Sequence, residues 1–337
     1  MLQAIEVRPY QALCLFCAVG GETAAESGSA SERLRAAIRA QPDIPITLRC
    51  NVMDVYSYQD PGMADETPEG ADFNRKRDLD ILYALDLAPG STLPARTLLY
   101  RVMRAIPTTR GICGYGAATA AAWQGCSRAA AGSYERGLAA GIQALVPPRC
   151  AEEMRQEKLA SVAAMHSGVA LRIRPHVAMC AICHFGGAGC EAVPIAADNI
   201  VEFVQIIREH PDTPVTMAQG ADWMICAPCG QRVPALNACV NVYGSGGLSN
   251  EKRDLDVLQR LGLGYEATLP GREFLRLLFE RLPTTQPICR RDSPALSVWW
   301  DGCGDANRAA GNAGYTKGRE FLQQEWADQA GQADPGS

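Results

Sequence analysis

The chain has no apolar run near the roughly 18 residues that a membrane-spanning helix needs. Its first residues, MLQAIEVRPYQALCLFCAVGGE, lack a basic stretch ahead of an apolar core. No secretory leader is expected, and a cytoplasmic location is. Excess positive charge is also missing. A net charge of −5 and a pI near 5.5 argue against nucleic acid or an anionic membrane as the main partner. Histidines number four, and no Ser-His-Asp grouping stands out, so nucleophilic catalysis is not the expected chemistry. The glycine-rich GYGAAT at Gly114 and GSGG at Gly244 lack the lysine and the strand–loop–helix setting of a phosphate loop.

Cysteine is what the chain has in abundance, 14 among 337 residues. In a reducing compartment disulfides are disfavoured, and clustered cysteines more often bind metal. Buried apolar thiols are the alternative, but these would be scattered rather than paired. Apolar residues at 47% and charged residues at 20% fit a folded chain, and the length suits two domains.

The cysteines recur in an internal repeat. IRPHVAMCAICHFGG from Ile173 matches VRPYQALCLFCAVGG from Val7. NRKRDLDILYALDLAPGSTLPARTLLYRVMRAIPTTRGIC from Asn74 matches NEKRDLDVLQRLGLGYEATLPGREFLRLLFERLPTTQPIC from Asn250 without a gap. Trp123-Gln124-Gly125-Cys126 then matches Trp300-Asp301-Gly302-Cys303, while Tyr134 and Gly137 match Tyr315 and Gly318. A tandem duplication of a unit of about 150 residues is expected, too long for a solenoid repeat. Residues 1–145 form the first lobe, 146–168 a linker helix and 169–337 the second lobe.

Each lobe is expected to be α+β, mainly helical with a small sheet. A short strand (Ile5–Val7; Ala170–Ile173) leads into the C-x-x-C turn. A helix (Ser31–Ala40; Asn199–His210) follows, the second copy N-capped by Asp198. A strand (Ile44–Leu48; Pro214–Met217) runs towards Cys50 or Cys226. Two helices come next, the second opening at Thr92–Pro94 or Thr268–Pro270. A last helix carries the Trp-x-Gly-Cys.

Five cysteine positions correspond: Cys14 with Cys180, Cys17 with Cys183, Cys50 with Cys226, Cys113 with Cys289, and Cys126 with Cys303. Thiolates select zinc or iron–sulfur clusters, and four are needed for either. Each lobe therefore holds enough for one site. The second lobe adds Cys190, Cys229 and Cys239, with Met53 and Met63 standing at the last two places in the first. Cys180, Cys183, Cys226 and Cys229 have zinc-ribbon spacing, but the gap between the pairs is long for a ribbon. Ligands drawn from several segments suit a cluster buried between helices.

The second half resembles a family of small bacterial and archaeal proteins, the domain of unknown function numbered 1284. The likeness lies in Arg174-Pro175-His176…Cys180, in MICAPC with Cys226 and Cys229, in Cys239, and in Ile288-Cys289 with Cys303. Val177 stands where that family has a second histidine, and Arg290-Arg291-Asp292 where it has a further cysteine. The resemblance implies an iron–sulfur cluster with Cys180, Cys226, Cys229, Cys289 and Cys303 as ligands.

The expectation is one thiolate-ligated cluster, 4Fe–4S, in each lobe, serving electron transfer or redox or iron sensing with a partner protein. A zinc-stabilised interaction module and an iron–sulfur enzyme with an open cluster position are the alternatives. His176 and His184 flank the second C-x-x-C and could ligate the metal, hydrogen-bond to its sulfurs, or simply cap a helix. KRDLD at Lys76 and Lys252 reads as a charged helix face or as ion pairs between the lobes. PTT at Pro107 and Pro283 reads as a helix stop before a ligand cysteine. Trp123 and Trp300 read as a cover over the site or as core. Cys150, alone in the linker, is assigned no role.

Overall fold

The fold is that of a computed structural model, described over residues 3–21, 30–50, 67–116, 120–168, 170–240, 247–289 and 309–332. The chain divides into two compact units, with the break between Pro148 and Arg149. The helix expected to link them, α7 (Ala151–Met165), belongs to the second unit, where it packs on α9 and α10, whose ranges follow below.

The first unit runs β1 (Ile5–Val7), α1 (Pro9–Gly20), α2 (Ala30–Ala40), β2 (Pro45–Leu48), α3 (Ala71–Leu85), β3 (Thr92–Pro94), α4 (Ala95–Ala105), α5 (Ser127–Ala130) and α6 (Ser133–Ala139). After α7, the second unit runs β4 (Leu171–Ile173), α8 (Pro175–Gly187), α9 (Ile200–Glu209), β5 (Pro214–Met217), α10 (Trp223–Cys226), β6 (Arg232–Val233), β7 (Ala238–Cys239), α11 (Leu248–Leu261), β8 (Thr268–Pro270), α12 (Gly271–Arg281), α13 (Gln286–Cys289) and α14 (Ala309–Gln332). The fold is α+β with small mixed sheets. In each unit a central strand pairs parallel with the first strand and antiparallel with the third. Facing threonines bridge the antiparallel pairs, Thr47 to Thr92 and Thr216 to Thr268, each at 2.8 Å. The second unit adds the hairpin β6–β7.

Three local expectations are corrected. The C-x-x-C segments are helical. Pro9 and Pro175 sit in the first turn, where a missing N–H costs nothing, and an apolar run carries the helix inward. Thr-Leu-Pro is the third strand, because its backbone pairs with β2 or β5 before the helix begins. Trp123 closes a single 3-10 turn, and Cys126 lies in the loop just beyond it. Cys303 and Trp300 lie outside the described residues.

The KRDLD repeat explains itself through burial. Lys76 pairs with Asp80 and Lys252 with Asp256 on the exposed face, one turn apart. Asp78 and Asp254 point the other way and are fully buried. Asp78 accepts from Arg8 Nε at 2.8 Å and from the Tyr10 N–H at 2.9 Å. Asp254 does the same for Arg174 Nε at 2.8 Å and the His176 N–H at 3.1 Å. Each aspartate thereby pins the start of the cysteine-bearing helix within its own unit. The ion pairs expected between lobes are intra-unit anchors.

Glycines set the helix crossings. A Cβ on Gly137 of α6 would stand 2.0 Å from the Phe16 carbonyl oxygen of α1. One on Gly186 of α8 would stand 1.9 Å from the Gly314 oxygen of α14. The buried Tyr134 and Tyr315 lie beside these crossings and donate to Ile106 O at 2.7 Å and Leu282 O at 2.8 Å. The core of each unit closes around these helices.

Candidate metal centre

In the first unit, four of the five recurrent cysteines are neighbours. Cys14 and Cys17, three residues apart, share one face of α1. Cys113 comes from the turn after α4, where its N–H binds Thr109 O at 2.9 Å. That contact is the work of the Pro-Thr-Thr segment. Cys126 is tied to Cys113 by a backbone hydrogen bond of 2.8 Å. Gly125 makes this approach possible. Its φ is +95°, and a Cβ there would fall 2.5 Å from Cys113 O.

The four sulfurs lie in one another's electric field. Burial, first, and then the neighbouring thiols push Cys17 far above the ordinary thiol range. Cys113 is pushed up to about 12 by burial, with Cys14 and Cys126 adding and Arg77 opposing. Burial likewise raises Cys14 to about 11, against Arg77. Burial keeps Cys14, Cys17 and Cys113 protonated until a cation takes the place of those protons, because metal ligation requires thiolate.

Arg77 is the buried cation at the site, and Arg128 also acts on Cys14 and Cys17. Its guanidinium stacks 3.8 Å over the Tyr10 ring, is 1% exposed, and leaves Nε buried without a hydrogen-bond partner. A buried cation beside four ionisable thiols fits an anionic thiolate-bound group. Sequence reading placed this arginine on a solvated face, although its place beside the anchoring aspartate in KRDLD was a usable signal.

Cys50 is fully buried but set apart from the four. Its titration is raised to about 11 by burial, and its charged neighbours are Asp78 and Arg8. Its pairing with Cys226 is also corrected. The Arg49 N–H binds Val7 O and the Ala218 N–H binds Ile173 O, so the residue corresponding to Cys50 is Gln219. Trp123 packs against Phe73 and Tyr115 at centroid distances of 6.1 and 6.4 Å.

The second unit divides its cysteines. Cys183 and Cys289 both act on buried Tyr315, as Cys17 and Cys113 act on Tyr134. Cys180 lies one turn before Cys183 on α8, and Cys289 N binds Thr285 O at 2.9 Å. Their fourth expected companion, Cys303, lies outside the described residues. Cys226, Cys229 and Cys239 form a separate set around β6–β7, with Cys229 acting on Cys226 and Cys239 acting on both. His176 is neither exposed nor a simple cap. Its Nδ1 lies 2.6 Å from Asp254 Oδ1, and burial holds its titration below the usual range despite that carboxylate. Cys190 is buried with φ +67°, and Cys150 is exposed.

Among the described residues, no group of three or more His, Cys, Asp or Glu side chains is set to hold a metal ion as it stands. The thiols are gathered but their sulfurs are not closed around a point. Among those residues, no helix is long and apolar enough to cross a membrane. Compared with protein-family models, curated proteins and solved structures, the chain matches none.

Proposed function

We propose that the chain is an iron–sulfur protein built from two units of common descent, with a thiolate-bound cluster in each. In the first unit Cys14, Cys17, Cys113 and Cys126 are the ligands. In the second they are Cys180, Cys183, Cys289 and Cys303. One observation carries the reading: four cysteines from three separate segments, Cys17 and Cys113 buried and Cys14 and Cys126 half-buried, meet beside the guanidinium of Arg77. That donor set is the one thiophilic clusters take.

A bound cluster supplies one-electron transfer, and the role proposed is electron transfer or redox sensing with a partner protein. The chain's own residues would exclude water and neutralise charge. Arg77 would offset the cluster's negative charge, and Tyr134, packed from α6 against Phe16 of α1, would keep solvent from Cys17 and Cys113.

The test is protein purified without oxygen, its absorption near 400 nm, and its iron, sulfide and zinc content. About four irons and four sulfides per unit are expected. Cys14→Ala and Cys113→Ala should each halve the iron, and Cys50→Ala should leave it unchanged. A colourless protein without iron refutes the proposal.

A further inference from the structure

The three cysteines around β6–β7 are left over once each unit has its four. They sit in a braced turn. The Cys229 N–H binds Cys226 O at 3.0 Å, which closes the C-x-x-C, and the Gln231 N–H points at Cys229 Sγ at 3.5 Å. Two residues on from the second cysteine, that N–H···S contact is what stabilises a thiolate in a metal-binding turn. Hairpin pairing sets Cys239 opposite Arg232, only three residues past Cys229, and Asn250 Nδ2 lies 3.5 Å from its sulfur.

The surrounding arginines hold the turn from outside. Arg149 Nη1 donates to Ala227 O at 2.7 Å and to Cys229 O at 2.9 Å. Arg232 Nε donates to Ala221 O at 2.9 Å. Fully buried Asn199 binds Met224 O through Nδ2 at 2.7 Å and Ile225 O through its N–H at 3.0 Å. That fixes the preceding residue, Asp198, beside the turn, where its carboxylate acts on both Cys226 and Cys229. Asp198 Oδ1 accepts from the Ile200 N–H at 3.1 Å, which fixes the carboxylate at the start of α9.

We propose that Cys226, Cys229, Cys239 and Asp198 bind one zinc ion, at a site separate from the thiols around Tyr134 and Tyr315. Three sulfurs and a carboxylate make a tetrahedral donor set for zinc. All three cysteines are half-buried, so an ion can reach them from solvent. On binding, the three thiol protons pass to solvent and the side chains close by rotation on a backbone already in place. Arg174, which acts on Cys226 and Cys239, offsets the charge that results. The site's role is to staple the β6–β7 hairpin to the start of α9.

The inference stands or falls independently of the cluster proposal. Zinc content of the full chain should be one per chain and should persist in Cys183→Ala and Cys289→Ala, which probe the other set. Cys226→Ser and Cys239→Ser should lose it while retaining iron. Zinc-edge X-ray absorption of the unaltered protein, which needs no variant to fold, should show three sulfurs at about 2.3 Å and one oxygen at about 2.0–2.2 Å. Asp198→Asn should lower zinc affinity at least tenfold. No zinc, iron in its place, a shell of four sulfurs, or zinc lost with Cys183 or Cys289 would each overturn it.

Discussion

The closest backbone contact in the first unit gives its most exacting test. Gly137→Ala places a Cβ 2.0 Å from the Phe16 carbonyl oxygen, and ordinary contact begins at 3.4 Å. Helices α1 and α6 must therefore separate by roughly 1.4 Å (3.4 − 2.0), because two backbones meet there and no flexible side chain can give way. Overpacking of this kind costs about 1–3 kcal/mol. At about 2–4 °C per kcal/mol for a unit of this size, the melting transition should fall by roughly 2–12 °C. Calorimetry of the full chain, with iron measured on the same samples, reads both consequences. If the proposed cluster is bound there, iron should fall too, since α1 carries Cys14 and Cys17 while α6 follows directly on the segment carrying Cys126. Gly187→Ala is the control. A Cβ there meets nothing within 4 Å, so the change should be neutral or slightly stabilising. A Gly137→Ala protein that melts within a degree of the parent would show that the helices are not in contact at that point.

Three further outcomes follow from the buried charges. Asp254→Ala leaves Arg174 buried without its carboxylate and should cost about 3–5 kcal/mol in urea unfolding, whereas Asp256→Ala on the exposed face should cost under about 1 kcal/mol. Below pH 6.5 the unfolded chain protonates His176 before the folded one does, because burial depresses the folded value. The second unit should therefore lose stability from pH 7 to 5, and His176→Gln should flatten that slope. Burial pushes Asp78 up to about 6 even against Arg8, so the folded first unit takes up a proton before the unfolded chain does. Its stability should rise over the same interval, while Asp254, held low by His176 and Arg174 against burial, contributes only at more acid pH. Arg77→Met removes the cation facing Cys14 and Cys113. It should shift the reduction potential of the proposed first-unit cluster downward in voltammetry, and an unchanged potential would remove Arg77 from the site.

The local sequence was enough to indicate the class of fold. Alternating β-branched runs gave the strands, and the two matching stretches gave the order of elements in each unit. The C-x-x-C spacing gave a pair of thiols at one helical face or turn, but not which. Only the tertiary structure separated Cys50 from Cys226, because register depends on which carbonyl Arg49 and Ala218 reach across the sheet, and spacing counted back from a matched helix cannot see an intervening insertion. It also moved Arg77 and Asp78 from a solvated face to the interior. A charged pair in a helix looks amphipathic until the opposing helix is known, and Asp78 is buried against the start of α1, where Arg8 Nε and the Tyr10 N–H donate to its carboxylate. Gly125 and Gly137 are ordinary letters in the sequence. Their necessity comes from two backbones approaching to within a distance that no side chain would allow.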